Sequence, residues 1–292
     1  MGGRGAAVAG LLAVSGAFLA GCAPDRVVLG RPVELTFPAG VDATTPLPLI
    51  VFLHGFTGNG VFDDKQIVKL RPELNAKKFI YAQPNGTPNK WGQRYWNATD
   101  GCCAPADSHV DDVAFLRAVI ADVQAQHPVD PARVFLVGFS NGGFMALRMA
   151  CDASDVVTAV VNIAGSTWVD PARCGPGRPV SILHLHGTAD ATIRFEGSSA
   201  PAKSPSPVGR YVAAKETNAR FAARNGCGTT LESLPALDVE KRGGVETSRE
   251  RYTGCPAGGA VELWTMDGVG HVPKLQPDVP GRLIDWLGEH PR

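Results

Sequence analysis

Short apolar runs alternate with helical patterns along this chain. The apolar runs, which are typical of strands buried in a sheet, occupy residues 49–53, 79–83, 134–137, 156–164, 180–186 and 261–266. Stretches of helix-forming residues or of helical periodicity occupy 111–127, 143–149, 211–224 and 281–287. Strands that alternate with helices predict an α/β fold, in which a mainly parallel sheet carries helices on both faces.

Two further patterns predict the margins of this sheet. Residues 31–37 alternate between polar and apolar positions, as an edge strand does. Gly243-Gly244 predicts the turn of a hairpin between residue 224 and the last strand.

The pentapeptide Gly138-Phe139-Ser140-Asn141-Gly142 joins a predicted strand to a predicted helix. A sharp turn at this point holds a serine hydroxyl clear of its own backbone, and the flanking glycines relieve the crowding. The helix that follows presents backbone amides that stabilise an oxyanion. The pattern therefore predicts a nucleophilic Ser140, whereas the simpler interpretation is a serine that only caps the helix.

A serine of this kind requires an acid and a base later in the chain. Asp190 follows the predicted strand 180–186, and His271 follows the predicted strand 261–266. Because the carboxyl ends of parallel strands meet at one edge of a sheet, we expect Ser140, Asp190 and His271 to converge there. Asp267 is the alternative acid, and His54, His184 and His186 are the alternative bases.

The glycine-rich loop 54–60 follows a buried strand. Such a loop supplies one backbone amide of an oxyanion hole, here that of Phe56, and Asn141 supplies the other. The alternative is that these glycines only form a turn and supply no oxyanion-hole amide. His54 either braces this loop or contacts substrate. Trp91 and Trp96, in the long segment 84–107, either line a substrate cleft or anchor the loop.

The composition restricts the class of partner. A chain of 292 residues that is 44% hydrophobic buries one sizeable core, so one domain is expected over 31–292. Lys plus Arg and Asp plus Glu are equal at 28 each, which gives no field that would attract nucleic acid. We find no repeat and no nucleic-acid motif. A neutral or weakly charged small substrate is the easier partner, and the protein is expected to be a monomer that needs no cofactor.

The amino terminus has the features of a targeting segment. Arg4 precedes the small apolar run 6–20, and Leu19-Ala20-Gly21-Cys22 closes it. This ending resembles the lipobox of bacterial lipoproteins, so residues 1–21 are the predicted signal peptide, Cys22 is the lipidated residue, and 22–30 is a tether. The alternative is an ordinary secretory signal with an incidental cysteine. Both place the mature domain outside the cytoplasm, and in the first case its expected membrane contact is through the lipid at Cys22.

Six cysteines remain after Cys22, an even number that predicts disulfides in an oxidising compartment. Cys151 with Cys174 and Cys227 with Cys255 are the expected pairs, because each pair brackets one excursion between predicted elements. Cys102 and Cys103 are adjacent and are either bridged or left as thiols. A metal site is the weaker interpretation, since no metal-ligand spacing accompanies these cysteines.

Several segments together resemble the α/β-hydrolase esterases that include extracellular polyhydroxybutyrate depolymerase-like lipoproteins, feruloyl esterases and acetylxylan esterases. They are Leu53-His54-Gly55-Phe56, Asp111-Asp112-Val113, Asp130-Pro131-Ala132-Arg133-Val134, Gly138-Phe139-Ser140-Asn141-Gly142-Gly143, His186-Gly187-Thr188-Ala189-Asp190 and Gly270-His271. The resemblance implies Ser140 as nucleophile, Asp190 as acid and His271 as base. Val272-Pro273 follows His271 where relatives often carry Trp-Pro, which predicts a less aromatic cleft wall.

The expected activity is hydrolysis of carboxylic esters, such as feruloyl or acetyl esters of polysaccharide or hydroxyalkanoate oligomers. Two alternatives remain. The same three residues would serve an acyltransferase, and the fold would also serve a carbohydrate-binding surface protein that has lost catalysis.

Overall fold

The fold is a ten-stranded sheet with helices on both faces. A computed structural model describes residues 26–199 and 208–292. The strands are β1 (Arg26–Val28), β2 (Arg31–Thr36), β3 (Leu47–Leu53), β4 (Ile80–Pro84), β5 (Thr87–Pro88), β6 (Arg94–Tyr95), β7 (Val129–Phe139), β8 (Ala159–Ile163), β9 (Ser181–Gly187), β10 (Leu231–Leu237), β11 (Thr247–Tyr252) and β12 (Val261–Met266). The α-helices are α1 (Gly60–Asp63), α2 (Leu74–Lys77), α3 (Asp112–Gln126), α4 (Asn141–Asp152), α5 (Ala214–Asn225) and α6 (Val279–Gly288).

The sheet has a parallel centre and antiparallel margins. Its order is β1-β2-β4-β3-β7-β8-β9-β12-β11-β10, and the six strands from β4 to β12 run parallel. Strands β5 and β6 form a separate small hairpin. The mainly parallel sheet predicted from the sequence is therefore confirmed, as is the hairpin of β10 with β11.

The apolar core is divided by the sheet into two layers. Along β3, Leu49, Val51 and Leu53 pack on the side of α3, α4 and α5, whereas Ile50 and Phe52 pack on the side of α2 and α6. Successive side chains of a strand point to opposite faces. A continuous apolar run such as β3 is stable only where both faces are covered, and here both are.

Two expectations about the first strands are wrong. The segment 22–30 does not serve only as a tether, since β1 within it forms the edge of the sheet, and β2 lies between β1 and β4. Leu29 and Gly30 both have positive φ and make the tight turn between them. Val28 is buried and Arg26 pairs with Asp122 on α3, so side chains hold this strand on the domain.

Three disulfides join the cysteines of the domain. Cys151 pairs with Cys174 and Cys227 pairs with Cys255, as predicted, and Cys102 pairs with its neighbour Cys103. Within residues 26–199 and 208–292, no helix is long and apolar enough to cross a membrane. The predicted signal peptide and Cys22 lie outside the described residues.

Candidate active site

Ser140 occupies the turn between β7 and α4. Its backbone has φ of 54° and ψ of −119°, and its N–H donates to the carbonyl of Ile163 on β8 at 2.8 Å. A Cβ at Gly138 would overlap the Gly142 carbonyl oxygen, and a Cβ at Gly142 would overlap that of Leu53. The turn therefore requires glycine at both positions, because β3, β7 and the start of α4 approach each other so closely.

The side chains of Ser140, His271 and Asp190 form one hydrogen-bonded relay. Oγ of Ser140 lies 2.9 Å from Nε2 of His271, and Nδ1 of His271 lies 2.7 Å from Oδ2 of Asp190. In a neutral imidazole the serine hydroxyl donates to Nε2, and Nδ1–H donates to the carboxylate. This is the arrangement in which a histidine can take the serine proton.

The Asp190 carboxylate is buried and accepts several hydrogen bonds. Its Oδ1 accepts hydrogen bonds from the backbone N–H groups of Thr192 and Ile193, both at 2.8 Å. Burial by itself raises the pKa of Asp190, but the nearby ring of His186 and hydrogen bonds from His271 and Ile193 outweigh it and hold the pKa well below its usual range. Asp190 is therefore ionised at neutral pH.

The alternative acid and bases lie elsewhere. Oδ1 of Asp267 is 3.1 Å from the hydroxyl of Thr188, and its side chain is exposed. His184 and His186 are buried on β9 and hydrogen-bond to each other, whereas Nε2 of His54 accepts from the N–H of Gly86. Of these histidines and His271, it is His271 whose ring is hydrogen-bonded to the Ser140 hydroxyl.

The first turn of α4 packs against the loop that follows β3. A Cβ at Gly142 would meet the carbonyl oxygens of both Leu53 and His54. Neither the N–H of Phe56 nor the N–H of Asn141 donates a hydrogen bond to another residue within 26–199 or 208–292. Both predicted oxyanion-hole amides therefore lie in adjoining segments, and neither N–H has a protein acceptor among those residues.

The side chain of Asn141 has a role that the sequence did not reveal. It is fully buried, its Oδ1 accepts from the N–H of Trp96 at 2.7 Å, and its Nδ2 donates to the Trp96 carbonyl at 3.1 Å. The indole N–H of Trp96 in turn donates to the carbonyl of His54 at 3.0 Å. The segment 84–107 is thereby tied to the start of α4 and to the loop after β3.

His54 and Trp96 are not accessible to a substrate, so the expectation that they contact it is wrong. Both side chains are 0% exposed, and they pack on each other with ring centroids 5.1 Å apart. Nδ1–H of His54 donates to the Gly55 carbonyl at 2.7 Å. Burial lowers the pKa of His54 to about 4, so its ring is a neutral brace. Trp91, in contrast, is 71% exposed at the turn between β5 and β6.

Two aspartates that were not predicted as site residues also hold these loops. Oδ2 of Asp63 accepts from the N–H of Gly55 at 2.7 Å, which fixes the loop after β3. Asp112, fully buried at the start of α3, accepts from the N–H of Asn97 and from Arg31, both at 2.6 Å. Only the match of Asp111-Asp112-Val113 to the family pattern pointed to this second position.

Within the described part of the chain, no group of three or more His, Cys, Asp and Glu side chains is placed to hold a metal ion. The cysteines for which a metal site was considered are paired with one another in disulfides.

Comparisons with known proteins identify the fold and the proteins that this chain resembles. A family model described as alpha/beta hydrolase fold matches residues 48–177. Feruloyl esterase B of Piromyces equi is 30% identical over 82% of this chain and 42% of its own length. A putative esterase, NocK, of Nocardia uniformis subsp. tsuyamanensis is 31% identical over 77% of this chain and 64% of its own. The chain thus spans less than two thirds of either relative.

Solved structures show the same fold. An acetyl xylan esterase from Aspergillus awamori superimposes with a TM-score of 0.62 over 88% of this chain and 94% of its own, at 15% identity. The sheet order, the strand-turn-helix at Ser140 and the matched family model together show that this chain has the α/β-hydrolase fold. In sequence it is similar to feruloyl esterases.

Proposed function

We propose that this protein is a serine esterase that hydrolyses carboxylic esters through an acyl-enzyme. The observation that carries the proposal is the unbroken relay from Oγ of Ser140 through His271 to Asp190, with 2.9 Å and 2.7 Å between the bonded atoms. The esterase names of the related proteins support the same class of reaction.

In the first half of the reaction Oγ of Ser140 attacks the ester carbonyl carbon while Nε2 of His271 takes the hydroxyl proton. The negative oxygen that forms is stabilised by the N–H groups of Phe56 and Asn141. The carbon–oxygen bond to the alcohol then breaks, and His271 gives its proton to the leaving alkoxide. Asp190 holds the imidazole in the required tautomer and stabilises the imidazolium.

In the second half water takes the place of the alcohol. His271 removes a proton from the water as the water oxygen attacks the acyl carbon, and the same oxyanion amides stabilise the second intermediate. The bond to Ser140 Oγ then breaks, the proton returns to Oγ, and the free acid leaves. The products are one alcohol and one carboxylic acid for each ester and each water consumed.

The substrate class is feruloyl or acetyl ester groups on polysaccharide, with hydroxyalkanoate oligomers as the competing polymer. The names of the feruloyl esterases favour the first. Trp91 adds support, because an exposed indole on a well-bonded turn suits stacking against a sugar ring. The hairpin that carries it is joined to the loop after β3 by the hydrogen bond from Thr57 N–H to the Arg94 carbonyl, at 2.8 Å.

The protein works outside the cytoplasm, held by lipid at Cys22. The three disulfides support an oxidising compartment, and the Leu19-Ala20-Gly21-Cys22 ending supports the anchor. Detergent-phase partitioning of the full chain tests this. The wild-type protein should enter the detergent phase and Cys22→Ala should remain in the aqueous phase. Equal partitioning of the two would contradict the anchor.

Replacement of the nucleophile tests the catalytic proposal. Ser140→Ala should lower kcat on a p-nitrophenyl short-chain ester by a factor on the order of 10⁶, with the fold retained. Ser248→Ala, an exposed serine on β11, is the matched control and should keep full activity. A fluorophosphonate probe should label wild type and Ser248→Ala but not Ser140→Ala. Retained turnover in Ser140→Ala would end the assignment.

A further inference from the structure

Two buried histidines lie beside Asp190 and take no part in the mechanism above. His184 and His186, on β9, are 0% and 1% exposed. Residues two apart on a strand point to the same face, and Nε2 of His184 is 3.1 Å from Nδ1 of His186. One ring must therefore donate a hydrogen bond to the other.

Asn218 on α5 determines the direction of that hydrogen bond. Its side-chain nitrogen, Nδ2, donates to the backbone carbonyl of Ala214 at 3.0 Å, which fixes the orientation of the amide because a carbonyl accepts only from a donor. The same nitrogen is 2.8 Å from Nδ1 of His184. Nδ1 of His184 is thus the acceptor, its proton is on Nε2, and Nε2–H donates to Nδ1 of His186.

The chain of donors ends at the turn that carries Asp190. Because Nδ1 of His186 accepts, its proton is on Nε2, which lies 2.7 Å from the carbonyl oxygen of Ile193 and 3.5 Å from Oδ2 of Asp190. The N–H of Ile193 in turn donates to Oδ1 of Asp190 at 2.8 Å. His186 therefore fixes the turn at Ile193, whose N–H binds the Asp190 carboxylate. It also makes a longer contact to Oδ2 of Asp190, the oxygen that is bonded to His271.

The ring of His184 is neutral. Burial and the neighbouring His186 keep the pKa of His184 well below its ordinary value. A neutral ring carries one proton, so the tautomer of His184 decides which nitrogen of His186 is left to donate.

We infer that His186 is a positioning residue for Asp190. Asn218 and His184 together hold His186 in the Nε2–H tautomer, and this N–H fixes the turn that carries Asp190. The inference rests on the proposed function, since it names a group that orients the acid of the proposed relay. Asn218, His184 and His186 are all buried, so we assign them no contact with substrate.

The tautomers are measurable in the wild-type protein. Long-range proton–nitrogen NMR correlations of ¹⁵N-labelled protein at pH 7, assigned with His184→Gln and His186→Gln, should show Nε2–H on both rings. A proton on Nδ1 of His186, or a doubly protonated ring, would overturn the inference. Asn218→Leu removes the first donor at similar volume, and the Nδ1–H form of His184 should then appear.

Activity provides the second test. His186→Gln keeps an N–H donor at a similar volume, whereas His186→Leu has none. We expect His186→Leu to lower kcat roughly 10- to 100-fold, the range for partners that orient a functional group, with KM nearly unchanged. His186→Gln should recover most of that loss. If both variants kept full kcat, or lost only thermal stability, His186 would be a packing residue and the inference would fail.

The esterase proposal and the positioning role of His186 can be refuted independently of each other. If Ser140→Ala retained turnover, the esterase assignment would fall while the NMR tautomers could still be as stated. If Ser140→Ala were inactive but His186→Leu and His186→Gln matched wild type in kcat, only the role of His186 would fall.

Discussion

Asp190 and His271 are separated by 81 residues, yet Oδ2 of Asp190 lies 2.7 Å from Nδ1 of His271. The parallel pairing of β9 with β12 brings them together, because both residues follow the carboxyl ends of these neighbouring strands. Asp190 is fixed by two backbone N–H groups before it contacts the imidazole. The acid is therefore placed by the sheet and by its own turn, and it does not depend on His271 for its position.

The identity of the acid leads to the first prediction. Asp190→Asn should lower kcat about 10⁴-fold, because an amide at this position favours the wrong imidazole tautomer. Asp267→Asn is the matched control, since Asp267 hydrogen-bonds only Thr188 among the side chains described. Steady-state kinetics on a p-nitrophenyl ester will compare the two. A large loss in Asp267→Asn with little loss in Asp190→Asn would reverse the assignment.

The same carboxylate predicts a pH dependence of stability. The pKa of Asp190 is lower in the folded protein than its unfolded value of about 3.9, so its stabilising contribution is complete above about pH 5. The contribution decreases as the pH falls below the unfolded pKa toward the folded one. Asp190→Asn lacks this titration. The difference in free energy of unfolding between wild type and Asp190→Asn, from urea titrations at pH 7, 5 and 3, should therefore shrink toward low pH. A constant difference would contradict the hydrogen-bonded carboxylate.

Gly142 provides a steric prediction. Alanine is ordinarily the better helix residue, but a Cβ at position 142 would overlap the carbonyl oxygen of Leu53. Gly142→Ala should cost about 1–3 kcal/mol in the free energy of unfolding and should displace Ser140 from its hydrogen bond. Gly288→Ala at the end of α6 meets no atom within 4 Å and should be neutral or stabilising by about 0.4–1 kcal/mol. Thermal denaturation and ester hydrolysis measure both effects, and equal behaviour of the two variants would exclude the close approach.

Trp91 provides a prediction about substrate. Trp91→Ala should raise KM for a feruloylated oligosaccharide by roughly tenfold, which corresponds to about 1.4 kcal/mol of binding, and should raise KM for p-nitrophenyl acetate less. Trp91→Tyr keeps an aromatic face and should restore most of the affinity. Parallel changes of KM on both substrates would argue against a sugar-stacking role.

Much of the fold was predictable from the sequence because its signals are local. Strand β12 was predicted with its observed bounds, and α3 was predicted within one residue at each end. A short, mainly apolar run and a capped amphipathic stretch are local signals of burial. The edge strand β1 was missed because three residues are too few to show a period. In the structure, the positive φ of Leu29 and Gly30, the burial of Val28 and the ion pair of Arg26 with Asp122 account for β1.

Some features of the candidate site were likewise predictable from local sequence, and others were not. The residue types, the chain order and the positions of Ser140, Asp190 and His271 after predicted strands came from the sequence alone. Whether His54 and Trp96 face substrate or core, and which side chains hold Asp190, depended on contacts between residues far apart in the chain. Burial and hydrogen-bond partners of a side chain are properties of packed elements, and no local pattern encodes them. The sequence therefore determined the α/β architecture and the three candidate groups, whereas the tertiary structure decided how they meet and which neighbours orient them.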